Sequence, residues 1–139
     1  MGLCDFSDPR IDEGIRLFNE GLFFECHDVL EDFWTEQTCV ERPVFQGLIQ
    51  AAVALFHFEE GNLGGARRMY FSSRANLCGF PAVVGGMDLQ GLLTQMDACF
   101  AELCEPHASY PFHIRFDPAK RPRIVRSGSH DAKAASPSE

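Results

Sequence analysis

No stretch of the chain approaches the ~18 to 20 consecutive apolar residues that a membrane helix needs. Met1 to Pro9 also lack the basic start and apolar core of a signal peptide. A membrane partner is therefore excluded, and a soluble protein that stays in the cytoplasm is expected. The six cysteines, Cys4, Cys26, Cys39, Cys78, Cys99 and Cys104, contain no CxxC pair, and four of them lie inside apolar helical patterns. Buried reduced thiols are expected, in preference to a disulfide framework or a zinc cluster. Basic charge is scarce too. Up to Ile114 there are 17 acidic against 6 basic residues, giving -11, whereas from Arg115 onward 6 basic face 3 acidic, giving +3. An acidic body argues against nucleic acid as a partner, because that binding is driven by phosphate neutralisation. Proline interrupts the basic stretch of Arg115, Lys120, Arg121, Arg123 and Arg126, which rules out a recognition helix. It reads as a solvated arm, or as a strap against the acidic body of its own or a neighbouring subunit.

What the chain does have is helical periodicity. Its 139 residues are enough for one hydrophobic core. "DPRIDEGIRLFNEG" opens with Asp8 as N-cap and Pro9 at the first helical position, predicting a helix over about 9–20. A second follows from about Leu22 to Gln37. After a polar link holding Arg42 and Pro43, "VFQGLIQAAVALFHFEEG" makes a third, stopped at Gly61. Asn62 then caps a fourth, ending at Gly79, and a loop rich in glycine and proline leads to a fifth, "LQGLLTQMDACFAELC". Short links imply antiparallel hairpins. The fold class is all-α: a single-domain antiparallel bundle of about five helices, spanning residues 1–126 with a C-terminal extended arm. In that arm "YPFHIRF" has period two and is expected to lie along the bundle, with no second strand to pair with. Residues 127–139 are a polar tail expected to be disordered.

Two helices carry polar groups where apolar ones are expected. In "FFECHDVLEDFW" a helical wheel places His27 and Glu31 on the apolar side, with Phe23, Leu30 and Trp34 within about 60 degrees of His27. Asp28, Asp32, Glu25 and Glu36 form an ordinary solvated face. The third helix is apolar nearly throughout, and its polar side chains Gln46, Gln50 and His57 fall in one stripe about 40 degrees wide. Unpaired buried polar groups cost on the order of 1 to 3 kcal/mol, so the two stripes are expected to meet in one cluster. That cluster would contain His27, Glu31, Gln46, Gln50 and His57, with Trp34 beside it as a core residue or a pocket wall. It has three readings: a self-satisfied network, a pocket for a small-molecule or protein ligand, or a divalent-metal site on His27, Glu31 and His57. The last would give a metal-dependent hydrolase. Against it, HExxH, paired ExxH and DxD signatures are all lacking. Arg67, Arg68 and Arg74 read as solvated helix charges. The glycines of "GNLGGA" read as a tight turn with close helix packing, not a phosphate loop.

"FNEGLFFECHDVLEDFW" followed by "FQGLIQAAVALFHFEEGNLGGARRM" resembles the small bacterial and plastid family catalogued as domain of unknown function 309. The resemblance covers about residues 14 to 79. Its motif falls on Phe18, Asn19, Gly21, Glu25, His27, Leu30, Glu31 and Trp34, then Gln46, Gly47, Gln50, Asn62 and Ala66. Asp28 stands where the family usually has glutamate. The resemblance implies a compact all-helical bundle, with a homodimer as one partner, and implies no activity. A binding or interaction module is the leading expectation.

Overall fold

The computed structural model describes residues 4–105 and 113–127. Its five helices are α1 (Pro9–Asn19), α2 (Phe23–Thr35), α3 (Arg42–Glu59), α4 (Leu63–Leu77) and α5 (Leu89–Cys104). Among the described residues the fold is all-helical apart from a small hairpin, β1 (Val83–Val84) with β2 (Met87–Asp88), and one 3-10 turn, Pro118–Lys120.

Local chemistry explains most boundaries. The Asp8 carboxylate accepts from Arg10 N at 2.9 Å, and Pro9 occupies the first turn, where its missing N–H costs nothing. Two helix ends repeat one device. At the end of α1, Leu22 N donates to Leu17 O and Gly21 N to Phe18 O; at the end of α3, Asn62 N donates to His57 O and Gly61 N to Phe58 O. Both are Schellman closures, which need a left-handed residue, and Gly21 and Gly61 supply it at φ 80° and 82°. Asn62 then caps α4 by accepting from Gly65 N, as the sequence suggested. Arg42 and Pro43, expected in the link, instead form the first turn of α3, because proline is tolerated there.

Helix α3 is the central element. Val44, Phe45, Leu48, Ala51, Ala52, Ala54 and Leu55 are fully buried, with α2 and α4 packed against it. Gly47 lets α4 come close, since a Cβ there would lie 2.7 Å from Leu77 Cδ2. Ser73 on α4 uses the space to donate to Gly47 O at 2.7 Å.

Two expectations are corrected. The loop before α5 contains the hairpin, turned by Gly85 and Gly86 at positive φ as a two-residue turn requires. The arm is not a lone extended segment: Asp88 N donates to Val125 O, Ser127 N donates to Gly86 O, and Arg126 bridges to Met87. Nor is it solvated. Ile114, Pro122 and Ile124 are buried, and Phe116 packs edge-on against Phe58. Arg126, 9% exposed, pairs with Asp12 at 2.8 Å and also donates to Gly85 O and Phe6 O. Asn19 holds Ile124 by both backbone groups, at 2.9 and 2.7 Å. The first part of the period-two segment, Tyr110 to Phe112, and the tail from 128 lie outside the described residues.

The cysteine expectation is corrected in part. Cys4 and Cys39 are joined in a disulfide, with Cα atoms 5.0 Å apart, because the segment before α1 folds back onto the α2–α3 link. Cys26, Cys78, Cys99 and Cys104 are free. Burial pushes the Cys26 and Cys99 thiols up to about 12. Both should therefore resist alkylation in the native protein near neutral pH, while exposed Cys78 reacts; mass spectrometry after iodoacetamide reads this directly. Replacing Arg126 with alanine removes one partner of a buried pair and should lower unfolding free energy by about 3 kcal/mol in urea.

Candidate functional site

Helix α2 turns Phe23, Cys26, Leu30 and Phe33 into the core and leaves Glu25, Asp28, Glu31 and Asp32 exposed. His27 sits on the border between these faces, its side chain 24% exposed. Its Nε2 lies 3.7 Å from Glu31 Oε1, a one-turn spacing. Its Nδ1 lies 3.3 Å from Asp28 Oδ1 but is buried without a hydrogen bond. That short approach lacks bonding geometry, so it is an electrostatic contact that gains strength only when the imidazole is protonated.

The neighbouring Phe24 stands 53% exposed. Its ring centroid is 5.8 Å from the His27 ring and 5.7 Å from that of Phe56 on α3; Phe56 in turn is 6.1 Å from His57. These four rings form a continuous row across α2 and α3, with a histidine at each end. His57 Nδ1 lies 3.3 Å from the Asn62 amide nitrogen, within hydrogen-bond distance. The two phenyl rings stand between the histidines. Among the described residues, the three-residue group with ligand atoms all within 4.8 Å is Cys4, Cys39 and Glu41, whereas His27, Glu31 and His57 form no such group.

The remaining sequence-derived residues divide in two. Gln50 faces α4, where its Oε1 accepts from Asn76 Nδ2 at 2.7 Å. Gln46 lines a shallow groove of about 640 Å³ at the α2–α3 link, together with Thr35, Thr38, Cys39, Val40 and Arg42. Trp34 borders that link under the Arg42 guanidinium, which stands 3.9 Å from its ring centroid and donates from Nε to Trp34 O. Trp34 Nε1 is buried without a partner. A wheel gives each side chain's direction about its own axis but not which neighbour fills that direction. With α2 on one side of α3 and α4 on another, one stripe has two destinations. Sequence reasoning missed Phe24 and Phe56 as surface residues; the available signal was a phenylalanine beside the solvated acidic face of α2. It also gave Asn19 no role beyond its motif position, and that residue proves to hold the arm.

Residues 11–69 match the model of a family described as Domain of unknown function (DUF309). Over this stretch the chain is similar to that family. The stretch runs from α1 into α4 and includes both ends of the aromatic row, along with Asn19, Gly21 and Asn62. Over 52 residues the chain is 42% identical to the uncharacterized protein YpuF of Bacillus subtilis (strain 168). That alignment spans 37% of this chain and 30% of the relative. Neither description states an activity. Helix α5, the hairpin and the arm lie beyond the DUF309 match.

The geometry separates two kinds of polar residue. Truncating Gln50 to alanine leaves the Asn76 amide unpaired and should cost about 1 to 2 kcal/mol. His27→Ala, at a ring on the helix border with one nitrogen already unbonded, should change stability by less than about 1 kcal/mol. Parallel chemical denaturation of the two variants checks the order.

Proposed function

We propose that this protein is a non-catalytic binding module whose contact face is the row His27, Phe24, Phe56 and His57. The observation that carries this reading is Phe24, 53% exposed and braced against Phe56, with Asp28 and Glu31 alongside. An exposed aromatic held by its neighbours loses little freedom on binding. Covering the rest of it contributes about 1 to 2 kcal/mol. The acidic residues favour a partner that brings positive charge, both through long-range attraction and through contact of a cation with the ring faces. The fitting partner is a protein segment with an apolar anchor flanked by lysine or arginine.

Titrating isotopically labelled protein with basic amphipathic peptides tests this. Shifts should concentrate on residues 24–31 and 56–57, and affinity should fall as salt rises. Phe24→Ser should weaken binding about tenfold or more with the melting temperature nearly unchanged, since the ring is largely exposed already. Shifts elsewhere, or equal affinity for the variant, would overturn the assignment. If a second copy covers the row instead, sedimentation at rising concentration gives a homodimer that Phe24→Ser dissolves.

A further inference from the structure

Cys39 and Glu41 stand two residues apart in the link leading into α3, and Cys4 arrives beside them from 35 positions earlier in the chain. The ligand atoms of all three lie within 4.8 Å of one another. In the disulfide the two sulfurs are at bonding distance, and after reduction they must part to about 3.8 Å for both to stand ~2.3 Å from one tetrahedral ion, a separation that side-chain rotation reaches from Cα atoms 5.0 Å apart. Both cysteines are buried, at 5% and 8% exposure. Glu41 is already held beside the cysteines, because its Oε1 accepts from Cys4 N at 3.1 Å. Two soft thiolates and one carboxylate suit zinc better than magnesium or calcium. The groove at Cys39 gives water a route to a fourth position.

We propose that Cys4, Cys39 and Glu41 form a zinc-type cation site when the two cysteines are reduced. A dithiol reductant opens it: its two thiols supply two electrons and two protons, the Cys4–Cys39 bond breaks into two thiols, and the reductant becomes its own disulfide. Zinc then displaces both thiol protons to solvent and holds two thiolates and one carboxylate oxygen. Oxidation by a disulfide-class oxidant reverses the sequence and releases the ion. Either state ties the segment before α1 to the α2–α3 link, so the fold tolerates both. The site is separate from the aromatic row, and it stands or falls independently of the binding function.

The test uses the full chain reduced with a phosphine, which takes its oxygen from water and adds no competing thiol. Thiol titration of the unfolded, reduced sample should give two more groups than the oxidised sample. The reduced, folded protein should then take up one zinc per chain, and cobalt in its place should show a thiolate-to-cobalt charge-transfer band. Cys4→Ser with Cys39→Ser should abolish uptake and band. Glu41→Gln, which keeps the acceptor for Cys4 N, should weaken zinc by about tenfold or more, and Cys78→Ser should leave it unchanged. Circular dichroism confirms that each variant is folded. If the double variant does not fold, Glu41→Gln and the cobalt band still decide the matter. No zinc uptake by the reduced protein, equal uptake by a folded double variant, or undiminished affinity in Glu41→Gln would each overturn the site.

Discussion

An apolar rod enclosed by its neighbours constrains everything else in this fold. Helix α3 buries Phe45, Leu48, Ala52 and Leu55 completely, so each of its few polar side chains must leave through a gap between flanking helices. Gln50 leaves toward α4 and meets Asn76. Gln46 leaves at the α2–α3 link, and His57 leaves at the end capped by Asn62. The polar stripe is therefore a set of three exits, each with its own local partner or opening. The same enclosure drives Phe56 to the margin, where it meets Phe24 and gives the surface its aromatic row.

Helix content and helix ends were legible because their causes are local. Asp8 with Pro9, Gly21, Gly61 and Asn62 act within a few residues of themselves, and the structure places them in the expected capping roles. The start of α5 at Leu89 was equally plain, with Asp88 capping Gly91 N. The arm was expected to lie along the bundle, but what grips it there was illegible for the opposite reason. Ile124 is held by main-chain hydrogen bonds to a residue 105 positions away, and a backbone group has no side-chain signature. The disulfide is a similar case: spacing of 35 residues between two cysteines is no pattern until the intervening helices have folded.

For the candidate site, the sequence pointed to His27 on α2 and His57 on α3 but grouped them with Gln46 and Gln50, which the packing leads elsewhere. Counting polar groups selected His27 and Gln50 together, and packing sends one to the outer edge of α2 and the other to α4. The more informative anomaly was an apolar side chain in a polar place. Phe24 has an acidic neighbour at Glu25 and more than half of its surface in water, so the core does not account for its position.

The clasp between Asn19 and Ile124 bears on what counts as a unit here. Asn19 lies within the stretch shared with relatives, while the strand-like segment it grips lies far downstream. Phe58 belongs to the shared stretch as well, yet it rests on Phe100 and Phe116, both outside it. A piece excised at the borders of sequence similarity would uncover those ring faces and leave an amide without its mate. The borders of similarity are not the borders of the packed core.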